Sequence, residues 1–172
     1  MNQLVEVRGG VDKSSWGHGE WQDEPDERRW VDAETGYPCE IFRALEGSLC
    51  GYVGVPPGHP SYGVRHRHVD VEVHGGLTFS MRLLASETGL WWFGFDCGHP
   101  GDVSPNPDPR FRNRRVEMSI FAEAIGCDPD QANDRPDCVY RNIAYVTAQV
   151  ESLARQLKAM ETTPIDPAAT GR

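Results

Sequence analysis

Seven apolar residues near the C-terminus, Val139, Ile143, Val146, Val150, Leu153, Leu157 and Met160, recur at spacings of four, three, four, three, four and three. That rhythm holds one face of an α-helix apolar for about six turns. A stripe of this length has to be covered. Only 38% of the 172 residues are hydrophobic, which leaves little material for a multilayer enzyme and favours a single sheet as the cover. The heptad-like spacing also suits a coiled-coil seam, so a homodimer through the 138–160 helix is the competing use of the same face. Asp137 is of the right type to cap the helix, and Pro164 stops it. Residues 162–172 are expected to be a frayed tail.

The middle of the chain reads as strands. Cys39–Ala44 alternates, Glu46-Gly47 marks a turn, and Leu49–Val55 is a second apolar run, which together predict a hairpin. Pro56-Pro57-Gly58-His59-Pro60 forces a loop. Val69, Val71 and Val73 are β-branched at period two and predict another strand. Gly75-Gly76 interrupts it as a bulge or tight hairpin before Leu77–Leu84. Leu90–Phe95 is the most apolar run and is expected to be central. The predicted fold is α+β over 36–161: a mainly antiparallel sheet of about four or five strands with the long C-terminal helix packed on one face. Residues 1–35, with the mixed-charge run 23–29 and Trp16, Trp21 and Trp30, are expected to be a loosely ordered or docked arm in which at least Trp30 packs on the domain.

Charge narrows the partners. The chain carries 17 Lys+Arg against 26 Asp+Glu, a formal net charge of −9, which disfavours non-specific nucleic-acid binding. No apolar run approaches the roughly 20 residues of a membrane span. Met1–Gly10 has no basic stretch followed by an apolar one, so the expected setting is cytoplasmic. Five cysteines form no Cys-x-x-Cys pair, and reduced, buried thiols are the expectation.

Three stretches could carry chemistry. On the predicted valine strand the even positions are His66, His68, Asp70, Glu72 and His74, types that ligate zinc, iron or manganese, or that merely solvate an edge. Phe93–Asp102 places Asp96, Cys97, His99 and Asp102 in a glycine- and proline-shaped loop after a buried strand, a usual location for a site. Asp96 and His99 could ligate a metal, Cys97 and His99 could be nucleophile and base, or Asp96 could simply cap the turn. His74-Gly75-Gly76 puts an imidazole beside an exposed backbone. His59 becomes relevant if its loop folds over the same strand ends. A short helix is expected through Ile125, ended by Gly126. Arg110, Arg112, Arg114 and Arg115 precede it, the concentrated positive patch of an acidic chain, suited to a phosphate or carboxylate or merely offsetting the acidic N-terminal run.

Gly51–Pro56, His59–Gly63, the block HGGLTFS at 74–80, WWFGFDCGHPGD at 91–102, Tyr140-Arg141-Asn142, Tyr145-Val146 and Glu151–Leu157 resemble blocks of a family of small phage and prophage proteins. The likeness spans roughly residues 36–160. That family has no established activity, so the resemblance implies a viral or mobile-element setting, with the blocks holding His59, His74, Asp96, His99 and Asp102 as its distinguishing ones.

The leading functional expectation is a small metal-dependent hydrolase. His74, Asp96 and His99 would hold a divalent metal, zinc or manganese. His59 or Asp102 would be a further ligand or a base, and Arg110, Arg112, Arg114 and Arg115 would hold a phosphate-bearing, nucleotide-type substrate. The second expectation is a non-catalytic accessory protein that binds a host protein or sequesters a small ligand.

Overall fold

The computed structural model describes residues 4–82, 89–108, 110 and 138–162. Strands β1 (Val5–Val7), β2 (Glu27–Val31), β3 (Pro38–Arg43), β4 (Leu49–Val55), β5 (Phe79–Arg82) and β6 (Trp91–Asp96) form one six-stranded sheet in the order β1-β2-β3-β4-β6-β5. Every pairing is antiparallel. Helix α1 (Ile143–Thr162) packs on one face. The class is the expected α+β, with one or two strands more than the sequence suggested.

The β3–β4 hairpin closes as the sequence reads. The Ala44 amide donates to the Ser48 carbonyl at 2.9 Å, and Gly47 takes φ +96°, where a side chain would be strained. Ile41, Val53, Phe93 and Phe95 point to one face and meet Val146, Val150, Leu153, Ala154 and Leu157 of the helix, all essentially inaccessible to water. Each large side chain in that layer contributes about 1.5–3 kcal/mol. Gly51 permits the close approach: a Cβ there would lie 2.5 Å from Val150 Cγ2. The helical stripe is thus consumed within the chain's own core, which removes the seam a coiled-coil dimer would use.

The helix starts later than its apolar rhythm predicts. Asn142 is the N-cap, its Oδ1 accepting the Tyr145 amide at 2.9 Å, while the Ile143 amide donates to Glu24 Oε1 at 2.7 Å. Val139 fits the spacing but instead exchanges backbone bonds with the 101–103 loop: its amide donates to Gly101 O at 2.9 Å, and the Val103 amide donates to its carbonyl at 3.1 Å. Asp137 and the helix expected before Gly126 lie outside the described residues.

The valine strand is a correction. His66–His68 is a 3₁₀ turn, Val69 is a bend, residues 70–73 belong to no strand and His74 opens a turn; among the described residues no strand pairs with this stretch. Val69, Val71 and Val73 do pack on the core. Their backbone is tied to helix side chains instead of a ladder. Gln156 Oε1 accepts the Glu72 amide at 2.8 Å and its Nε2 donates to Glu72 O at 2.9 Å, while Gln149 Oε1 accepts the His74 amide at 2.9 Å. Period two reported which side chains face inward; it could not report that two glutamines, two helical turns apart, replace the neighbouring strand. Gly75-Gly76 is a turn closed by the Gly76 amide on Val73 O at 3.0 Å.

The segment expected as an arm contributes β1 and β2 to the sheet. Trp16 is buried and Trp30 packs against the core. Its anchor is Arg43, whose side chain has no exposed surface. Arg43 donates to Glu24 Oε2 at 2.9 Å, Asp26 Oδ1 at 3.0 Å, Gly47 O at 2.9 Å and the Tyr140 hydroxyl at 2.7 Å. Lys13 Nζ stands 2.7 Å from Asp26 Oδ1. Burial pushes the Asp26 carboxyl up, but Lys13, the Val11 amide and Arg43 together hold it below the usual carboxylate range. No described helix is long and apolar enough to cross a membrane.

Candidate functional site

Asp102 organises the site. It follows β6 through the Cys97–Gly101 loop and is 2% exposed. Its Oδ2 accepts from His74 Nε2 at 2.7 Å and from the His99 amide at 3.1 Å, and its Oδ1 accepts from Arg141 Nε at 2.9 Å. Burial raises the carboxyl's pKa, but the hydrogen bonds from Arg141 and His74, the His74 charge and the His99 amide outweigh it, leaving the group below its ordinary value. Asp102 is therefore an anion at neutral pH. His74 Nδ1 and the Tyr145 hydroxyl share a hydrogen bond at 3.1 Å, in which Nδ1 accepts when the neutral ring carries its proton on Nε2 and donates when the proton is on Nδ1. The Arg141 guanidinium lies 4.9 Å from the centre of the Tyr145 ring.

His99 completes the cluster. Its ring meets that of His74 edge to face at 5.4 Å. Its Nδ1 is buried and has no hydrogen-bond partner among the described residues. That atom stands 3.8 Å from both Asp96 Oδ1 and Asp102 Oδ2. The ring is seated against Gly75, which adopts φ +65°; a Cβ on Gly75 would lie 2.1 Å from His99 Cε1. This accounts for one of the two glycines: no other residue leaves room for the imidazole.

One ligand atom each from His74, His99 and Asp102 lies within 4.8 Å of the other two. Bonds of about 2.0–2.2 Å from nitrogen and oxygen to a shared ion would draw them together slightly. Two imidazoles and a carboxylate are a donor set for zinc, manganese or ferrous iron, and three protein ligands leave coordination positions open. Beside the cluster an open groove of about 650 Å³ is lined by Glu72, His74, Tyr145, Gln149, Ser152 and Gln156.

The structure thus joins His74 and His99, as expected, but with Asp102 as the third member of the cluster in place of Asp96. Phe93 and Phe95 face α1, so Asp96 faces the other way at the strand end. It is spent on the Gly98 amide at 3.1 Å and the Thr78 hydroxyl at 3.0 Å, and reaches only the rim of the cluster. His59 is elsewhere. It is buried, its Nδ1 accepts the Ser61 amide at 3.0 Å, and its Nε2 donates to Leu157 O at 2.9 Å. Leu157 is twelve residues along α1 from Tyr145, about 18 Å. His59 therefore ties a loop to the far end of the helix.

Cys97 is buried, and burial together with Asp102 pushes its thiol up, so it is no thiolate nucleophile. Arg110 is exposed and bonded to Asp108, its Nε 2.9 Å from Oδ2. Arg112, Arg114 and Arg115 lie outside the described residues. His66 and His68 stand apart from the cluster, His66 beside Ser80. Arg141, Tyr145 and Gln149 were not foreseen as site residues. Arg141 and Tyr145 lie in two of the shorter resembling blocks, but only the fold places them against His74 and Asp102.

Comparison with protein-family models, curated proteins and solved structures finds no match for the chain.

Proposed function

We propose that the protein is a divalent-metal-dependent hydrolase whose ion is held by His74, His99 and Asp102. The observation that carries this reading is the His99 Nδ1 atom, buried and without a hydrogen-bond partner among the described residues, 3.8 Å from two carboxylates. A buried polar atom left unpaired costs about 1–3 kcal/mol, and an ion bound there would relieve it. The donor set favours zinc or manganese. A bound ion would lower the pKa of its water toward neutrality and so supply a nucleophile.

The surrounding residues have defined parts in this reading. To ligate through Nε2, His74 would carry its ring proton on Nδ1, and the Tyr145 oxygen 3.1 Å away would accept it and so hold the ligating tautomer. Arg141 fixes the Asp102 carboxylate from the other side. The groove lined by Tyr145, Gln149 and Ser152 gives a substrate access. The substrate class we assign is a phosphoester, supported by the arginine-rich run 110–115 that follows the Asp102 loop in sequence. A phage or prophage setting belongs to the same proposal and rests on the sequence blocks alone.

The test is turnover of aryl phosphate mono- and diesters and of nucleotides by protein loaded with zinc or manganese. Hydrolysis is expected with metal, and it should be abolished by Asp102→Asn and by His99→Ala. Metal binding without turnover of any phosphoester would overturn the substrate class. Turnover unaffected by those substitutions would overturn the site.

A further inference from the structure

We propose a second binding site, on the sheet face away from α1, that recognises a small organic cation of the methylated-ammonium type. The face is set by strand parity. Ile41, Val53 and Phe93 point to the helix, so Glu40, Phe42, Tyr52 and Trp92 point to the other side, and Phe79 of β5 joins them. Among the described residues no helix packs there. These five residues line a cavity of about 250 Å³. That is below the usual range for drug-sized ligands, and fits a headgroup better than a polymer.

The walls are aromatic and ordered by contact. Phe42 and Tyr52 stack with centres 5.2 Å apart and planes 8° from parallel, and Phe79 meets Tyr52 edge to face at 5.4 Å. Glu40, Tyr52, Gly94 and Phe79 form one row across four strands. The Tyr52 ring lies over Gly94, where a Cβ would come within 2.4 Å of it. Phe42 keeps 42% of its surface exposed, so the ring at the mouth of the cavity is open to a ligand.

Charge selects the occupant. Aromatic faces carry negative potential and attract cations, most strongly out of water. Glu40 adds a carboxylate to this apolar wall. Its only ion pair among the described residues is a loose one, Arg29 Nε at 3.8 Å, and Arg29 itself is held at 2.8 Å by Glu27. Burial pushes the Glu40 carboxyl up, with Arg29 opposing; a ligand cation would supply the counter-charge the protein supplies only weakly. The net charge of −9 favours the same partner and opposes a nucleic acid.

The test is titration calorimetry of the full chain with choline and with free Nε-trimethyl-lysine. The control ligand is 3,3-dimethylbutanol, the uncharged carbon analogue of choline. Saturable binding of the cations is expected, weakened at least tenfold for the neutral analogue, for Glu40→Gln and for Phe42→Ala, with circular dichroism and melting curves showing that both variants fold. Absence of cation binding, or equal binding of the neutral analogue, would overturn the proposal. Preferential binding of a nucleoside would overturn it in favour of a base-stacking platform.

Discussion

Two adjacent glycines allow backbone strain to be separated from the packing of a single imidazole. Gly75 and Gly76 both have positive φ, +65° and +82°. Alanine at either position forces an L side chain into the left-handed region at about 1–2 kcal/mol. The surroundings differ. A Cβ at Gly76 meets nothing within 4 Å, whereas one at Gly75 falls 2.1 Å from His99 Cε1 and 2.4 Å from Nε2. No carbon tolerates that approach, so in Gly75→Ala the ring must swing away by more than an ångström. His99 then leaves the His74–Asp102 cluster. Urea denaturation should show Gly76→Ala destabilised by about 1–2 kcal/mol with zinc affinity intact. Gly75→Ala should be destabilised at least as much and should lose zinc affinity on the order of 100-fold or more, although no ligand has been removed. Equal zinc affinity in the two variants, whether retained or lost, would refute the claim that Gly75 exists to seat His99.

Arg43→Met leaves Glu24 and Asp26 buried without their main cation; a loss of about 3–5 kcal/mol in urea denaturation is expected, tempered by Lys13, and a loss under 1 kcal/mol would contradict the anchoring role of Arg43. Asp102 and Asp26 titrate below their unfolded values of about 3.9. Their contribution to stability is therefore full above that pH and is lost as pH falls through the lower folded values. Unfolding free energies measured between pH 5 and pH 2 should decline, and Asp102→Asn should flatten the decline. Burial holds the Cys39 and Cys50 thiols up at about 12 and raises Cys97 as well. Disulfide reagents at pH 8 should modify half-buried Cys138 long before these three, and Cys97→Ala should bind divalent metal as the parent chain does, which a ligating thiol would not allow.

What the sequence could tell follows from which forces leave a local trace. The helix stripe and the β3–β4 hairpin are written in apolar spacing and in Gly47, so both were legible. Strands β1 and β2 were not. Glu27-Arg28-Arg29-Trp30-Val31 has no apolar alternation, and its outer pairing rests on Arg28 with Glu6, 2.7 Å apart, a contact between residues far apart in sequence. The valines of 69–73 carried the right facing and the wrong partner, because the bonds come from Gln149 and Gln156. At the site, His74 and His99 stood out as imidazoles beside glycines. Asp96 and Asp102 looked alike in sequence; strand parity turns the first outward, and the loop brings the second under both rings. His59 sat in an equally distinctive block, yet its ring serves the Leu157 carbonyl.

The central claim is that His74, His99 and Asp102 hold an ion, and elemental analysis of tag-free protein purified without chelator tests it most directly. The account predicts about one equivalent of zinc, manganese or iron, absent from a folded His99→Ala variant and accompanied by a ligand-dependent rise in melting temperature. Protein that carries no metal, and that no divalent ion stabilises against heat, would contradict it.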